Sequence, residues 1–314
     1  MTSDLTARTA ARARLVGALL VFLSGITFST KAILVKLAYR QGIDSVSLLT
    51  LRFGFAAPFF AYAAFGAQLR GKIPPALTRR DGFTILALGV LGYYLASLSD
   101  FIGLRYISAG LERLILFVYP TLVVLIEAGV YKARLERRQQ LALLVTYAGI
   151  VLAFRDELGQ SLGSDVPRGA AWVFGSALTY AVYLIGAGRM VPKLGSQRFT
   201  ALALLAATAA VLLHACLSGA RILGLPPVAY LIGLVMALFA TVLPAFLLAR
   251  GIALIGSGPA AIISSVGPVS TILLAYLILD EAFTPSAFLG TALVIIGATL
   301  VASSPKRAKP APAG

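Results

Sequence analysis

The chain has 314 residues, 59% of them apolar and 12% charged, with a mean hydropathy of +0.91. A soluble protein of that composition could not cover its surface with polar groups, so lipid must be the solvent for much of the chain. One cysteine rules out a disulfide framework or a thiolate zinc cage, one histidine argues against a histidine cluster, and the net charge of +15 fits cytoplasmic loops rather than a nucleic-acid surface.

A helix needs roughly 20 apolar residues to cross the ~30 Å hydrocarbon layer. Residues 1–14 carry Arg8, Arg12 and Arg14 and read as a cytoplasmic tail. The apolar run that follows is too long for a signal peptide and is predicted to be retained. Ten spans are then predicted, at 15–37, 45–66, 83–103, 109–131, 139–154, 169–188, 199–218, 227–249, 257–279 and 286–303. The fifth is short, with ends blurred by Arg137, Arg138 and Arg155. Barrel strands would alternate over about 10 residues, and these runs are too long and uniform for that. Linkers carry breakers and charges: Gly71-Lys72-Ile73-Pro74-Pro75, Arg155-Asp156-Glu157 and Asp280-Glu281. Residues 304–314 form a second cytoplasmic tail. With both termini inside, 18 cations fall on the cytoplasmic side and 5 outside, a strong positive-inside bias.

The chain also repeats itself. Residues 107–152 align with 255–300 at a constant offset of 148, without gaps. Ile107, Gly110, Ile115, Val118, Pro120, Leu125, Leu141, Gly149 and Leu152 match Ile255, Gly258, Ile263, Val266, Pro268, Leu273, Leu289, Gly297 and Leu300. The glycine and proline matches weigh most, because these residues act on the backbone rather than on hydropathy. Earlier, Val21-Phe22-x-Ser24-x-x-Thr27 is echoed by Val173-Phe174-x-Ser176-x-x-Thr179. Five predicted spans per half force the halves, 15–155 and 168–303, to run in opposite senses across the membrane. Lys132 inside and its counterpart Asp280 outside agree with that inversion. Inverted repeats are the signature of alternating access to a site between the halves.

Ser108-Ala109-Gly110 through Pro120, Ile255-Gly256-Ser257-Gly258 through Pro268 to Asp280-Glu281, Leu289-Gly290 to Gly297, and Thr241-Val242-Leu243-Pro244 resemble the paired EamA modules of the drug/metabolite transporter superfamily. The resemblance covers nearly the whole chain. It implies an all-α integral membrane protein with ten helices in two five-helix modules. It further implies a secondary carrier of small metabolites, commonly an exporter, with no ATPase of its own. The absence of a Walker A pattern agrees. Two places depart from the family pattern. Glu112-Arg113 stands where small or apolar residues are usual, and Phe28-Ser29-Thr30-Lys31 replaces a Trp-Gly often seen in the first span. The substrate is therefore not carried over. It is expected to be a small organic metabolite, whether amino acid-like, nucleobase-like or drug-like.

Ionisable groups inside a span are costly and need a reason. Lys31 lies about 9 Å and Arg52 about 10 Å inside the outer ends of their spans, and Asp100, Glu112 and Arg113 lie about 5 Å inside. Lys31, Arg113, Asp100, Glu112, Tyr119 and Tyr183 are the expected substrate-binding or gating residues. Lys31 would hold an anionic group, and Glu112 or Asp100 would take up a proton. The competing reading is a salt-bridge network that locks helices and touches no ligand. Pro120, Pro244 and Pro268 are expected hinges, against the plainer reading of packing kinks. His214 reads as a packed residue rather than a proton relay. No cofactor or metal site is expected. The expected partners are the substrate, protons where transport is coupled, and membrane lipid. The runner-up readings are a membrane-embedded enzyme and a non-transporting scaffold or sensor.

Overall fold

The computed structural model describes residues 2–69, 76–130, 137–158, 165–282 and 284–302. The Gly71–Pro75 breaker, Lys132, Arg134 and the 304–314 tail lie outside the described residues. Helices alone make up the described chain. In the first half they are α1 (Thr2–Arg40), α2 (Ser45–Leu69), α3 (Arg79–Gly89), α4 (Ala96–Gly103), α5 (Ala109–Leu116), α6 (Tyr119–Val130) and α7 (Arg137–Leu158). In the second they are α8 (Val166–Leu194), α9 (Ser196–Ser218), α10 (Pro227–Ala237), α11 (Leu243–Ile255), α12 (Ser257–Ser264), α13 (Val266–Leu279) and α14 (Pro285–Ala302). Residues read as an N-terminal tail thus continue the first helix back to Thr2.

Among the described residues, seven stretches are long and apolar enough to cross a membrane: Arg12–Arg40, Ser45–Gly66, Arg79–Gly103, Ala109–Val130, Val166–Leu194, Ser196–Ser218 and Pro227–Ile255. Three shorter apolar helices, Gln140–Ala153, Val266–Leu279 and Pro285–Leu300, occupy the remaining predicted places.

Local chemistry sets the helix ends. Asp44 accepts from the N–H groups of Val46 and Ser47 at 2.9 and 3.0 Å and so caps α2. Thr78 and Asp81 form a capping box on α3. Ser108 caps α5 through the Leu111 N–H at 3.0 Å. Only Gly195 separates α8 from α9, and its φ of +78° is the backbone state that an L side chain resists.

The halves break their helices at matching places. A π-helical stretch, Val90–Leu95, joins α3 to α4, and another, Leu238–Val242, joins α10 to α11. The first break starts 148 residues before the second, the offset of the sequence repeat. The α5/α6 break at Phe117 and the α12/α13 break at Ser265 match in the same way. Packing obeys the same symmetry. α7 lies on α14 and α2 on α9, while α1 on α11 has its counterpart in α8 on α4.

These equivalent helices run antiparallel. A Cβ on Gly149 would sit 2.6 Å from the Gly290 carbonyl oxygen, and one on Gly297 would sit 2.7 Å from that of Ala142, so the chains pass in opposite directions. Glycine is required here because the two backbones touch. Across α1 and α11, Gly17 packs on Gly251, and its counterpart is Gly169 on Gly103.

Candidate functional site

α1, α2, α4 and α5 bring five ionisable side chains into the interior. Lys31 is 5% exposed, Arg52 6%, Asp100 2%, Glu112 0% and Arg113 7%. The helices that carry them are otherwise apolar, and burying charge in such a place requires partners. Lys31 Nζ donates to Asp100 Oδ2 at 2.5 Å and to Glu112 Oε1 at 3.1 Å, tying α1 to α4 and α5. One ammonium therefore serves both carboxylates. Asp100 Oδ1 and Glu112 Oε2 stay buried without a hydrogen-bond partner.

The arginines are held differently. Arg52 Nε donates to Thr241 Oγ1 at 2.8 Å, and its guanidinium lies over the rings of Phe53 and Phe101. Thr241 sits in the second π-helical stretch, where its hydroxyl donates to the Met236 carbonyl at 3.0 Å. Arg113 lies over the Phe28 ring at 4.9 Å, and Lys31 approaches the same ring at 5.6 Å. Arg52 Nη1 and Arg113 Nε are buried without partners, and among the described residues neither arginine forms an ion pair.

Beside the charges runs a column of aromatic rings. Tyr119 meets Tyr180 edge-on at 5.2 Å, and Tyr180 stacks with Tyr183 at 5.7 Å. Tyr183 meets Tyr93 at 4.9 Å with the hydroxyls 3.0 Å apart, and stacks with Phe199. Tyr93 and Thr241 are counterparts in the two π-helical stretches. Each offers its hydroxyl to a neighbouring helix, Tyr93 to Tyr183 of α8 and Thr241 to Arg52 of α2. π-Helical turns of this kind expose side chains that a regular helix would turn away.

The three prolines expected as hinges each sit in the first turn of a helix that restarts after a break: Pro120 in α6, Pro244 in α11 and Pro268 in α13. A missing N–H costs little there. α1 is stitched to two of these restarts. Ser24 Oγ donates to the Pro244 carbonyl at 2.8 Å, and Ser29 Oγ lies 2.9 Å from that of Gly267. His214 Nδ1 and Tyr94 Oη are hydrogen-bonded at 2.8 Å, away from the charge cluster.

A cleft of about 850 Å³ opens at one end of the molecule, lined by Arg40, Asp44, Arg105, Ser108, Asp280 and Glu281 among others. The sequence places all of these on the outer side. Arg40 donates to the Leu279 carbonyl at 2.7 Å, and Glu281 accepts from the Ala109 and Gly110 N–H groups at 2.8 and 3.3 Å. The second half thereby caps the first turn of α5, the helix that carries Glu112 and Arg113. Lys193 and Asp81, both expected on the inner side, meet at 2.5 Å.

The sequence singled out Lys31, Asp100, Glu112, Arg113, Tyr119 and Tyr183. The structure joins the first three directly, sets Arg113 beside them across Phe28, and places both tyrosines in the aromatic column. Tyr180 was read as a further cavity-lining ring and Tyr93 as part of the polar stripe with Asp100, whereas Phe28, Thr241 and Glu281 were not foreseen as site residues. Only the repeat offset could have flagged the pairing of Tyr93 with Thr241. Among the described residues, no group of histidine, cysteine, aspartate and glutamate could hold a metal.

Apolar helices of membrane-crossing length, matched breaks and an interior charge cluster define a membrane protein built from two copies of one helical unit. The model of the EamA-like transporter family matches residues 15–155 and again 167–303. The chain is 30% identical to the uncharacterized transporter YcbK of Bacillus subtilis over 84% of its length and 86% of that protein. It is 27% identical to the uncharacterized inner membrane transporter YicL of Salmonella typhimurium, over 93% and 96% of the two chains. A solved crystal structure matches 91% of the chain and 95% of its own with a TM-score of 0.62 at 17% identity, a likeness of fold alone. The chain belongs to the EamA-like transporter family and is an integral membrane transporter.

Proposed function

We propose that this transporter is a secondary carrier that moves a small organic metabolite across the inner membrane by alternating access. In this reading all ten apolar helical stretches cross the bilayer, the modules 15–155 and 168–303 are inverted, and both termini are cytoplasmic. The observation that carries the proposal is the antiparallel packing of equivalent helices about one pseudo-twofold relation, with matched breaks flanking a buried charge cluster. Sidedness is supported by residues that the sequence assigns to one face meeting in space. Lys193 meets Asp81 at one end, and Arg40, Arg105, Asp280 and Glu281 gather at the other.

The Lys31–Asp100–Glu112 knot acts as both lock and gate. It holds α1, α4 and α5 together in the state seen here, and its two free carboxylate oxygens offer a place for a proton. Proton uptake there would loosen the grip on Lys31, which links the lock to coupling. Export is taken as the direction on family grounds. Counterflow in proteoliposomes tests the proposal. A carrier exchanges labelled solute unchanged, whereas an enzyme alters it and a scaffold does neither.

A further inference from the structure

We infer that Arg113, beside the N-terminal turn of α13, holds the negatively charged group of an anionic substrate. This rests on the carrier reading above and names the charge class of its cargo. The expectation from sequence gave that task to Lys31, but the structure engages Lys31 with two carboxylates, so its charge is already countered within the protein. Arg113 is in the opposite position. The residue is 7% exposed, its Nε is buried without a partner, and its guanidinium lies over the face of Phe28, while Glu112, Asp100, Tyr119 and Tyr180 act on it electrostatically and, among the described residues, no carboxylate forms an ion pair with it. A cationic side chain in the interior of a membrane protein with no counter-charge in contact is unfavourable unless a ligand supplies one.

The surroundings favour an anion. A Cβ on Gly267 would lie 2.6 Å from Arg113 Nη2, so the guanidinium rests directly against the first turn of α13, which starts at Val266. The positive end of that helix dipole and the guanidinium then act on the same space. Lys31, Arg52 and Arg113 against Asp100 and Glu112 sum to +1, and one monoanionic group brings the cluster to neutrality. Carboxylate or a similar planar oxyanion suits the fork of an arginine better than a single-point anion does.

The test uses purified full-length protein and a panel of monocarboxylic acids, each with its amide and its amine, such as benzoate, benzamide and benzylamine. Chloride and inorganic phosphate are run alongside. Thermal shifts and titrations should show binding by one or more carboxylates and by neither analogue of the same frame. Arg113→Gln should weaken that binding roughly thirtyfold or more, with partial recovery in Arg113→Lys. Because Arg113→Gln bears on folding, Gly267→Ala is the second probe. Its new methyl displaces only the tip of the arginine, keeps every charge, and should also weaken binding. The inference is overturned if amines or amides bind instead, if carboxylate binding survives both variants, if no carboxylate binds, or if chloride and phosphate match the carboxylates. Counterflow with the same panel separates the two readings. Exchange of amines alone leaves a carrier without an anion site, and Arg113-dependent carboxylate binding without exchange leaves an anion site without a carrier.

Discussion

Lys31 decides how the interior charges behave. Removing it leaves Asp100 and Glu112 buried with no cation in contact, and breaking a buried ion pair from one side costs about 3–5 kcal/mol. Lys31→Met should therefore lower the melting temperature of the purified protein markedly. Adding Asp100→Asn and Glu112→Gln to it should restore most of that loss, because the orphaned charges are gone. Equal melting of the single and triple variants would show that the knot holds nothing together. Asp44 offers a pH-dependent case outside the spans. Burial alone would raise its carboxyl, but hydrogen bonds from the Ser47 hydroxyl and from the Ser47 and Val46 N–H groups outweigh that and hold it below the usual carboxylate range. A folded-state value below the unfolded one gives stability that is full at neutral pH and fades as pH falls through the depressed value. Asp44→Ala should cost about 1 kcal/mol at neutral pH, as the loss of a helix cap does. The melting curves of parent and variant should converge on acidification below about pH 4.

At the level of elements, the α7–α14 contact depends on backbones that touch. Gly297→Ala would drive a methyl into the Thr146 side chain and to within 2.7 Å of the Ala142 carbonyl, so the helices must separate. A loss of roughly 1–3 kcal/mol is expected from such overpacking. Gly129→Ala or Gly175→Ala, where nothing lies within 4 Å, should melt like the parent. If all of these variants melt alike, the tight interface is not a source of stability. The helices themselves were legible in the chain, since each predicted span corresponds to a helical stretch. Their internal breaks were not. The span read as 109–131 is two helices parted at Phe117 and Val118, and those read as 83–103 and 227–249 each contain a π-helical turn. One extra residue in a hydrogen-bond ladder leaves hydropathy unchanged, so periodicity carries no trace of it.

For the whole molecule, rocking of the halves requires each end to open in turn. In a Cys216→Ser background, an Arg40→Cys/Leu279→Cys pair bridged by a bifunctional methanethiosulfonate reagent should tie the cleft end, and an Asp81→Cys/Lys193→Cys pair bridged in the same way should tie the other. Either bridge should stop counterflow, and reductant, which cleaves its mixed disulfides, should restore it. Transport at the parent rate with either link closed would rule out rocking as the mechanism.

What the sequence determined by itself was solvent, helix placement and the two-copy plan. These are set by hydropathy and by glycine and proline positions, which are local properties of the chain. It also picked out Lys31, Asp100, Glu112 and Arg113, because charge inside an apolar run stands out without any knowledge of neighbours. Which charge meets which was decided only by the tertiary structure. Lys31 takes both carboxylates, Arg52 turns to Thr241 in the other half, and Arg113 is left facing Phe28 and Gly267. Contacts between residues far apart in the chain depend on how helices rotate and cross, and one-dimensional spacing does not encode that.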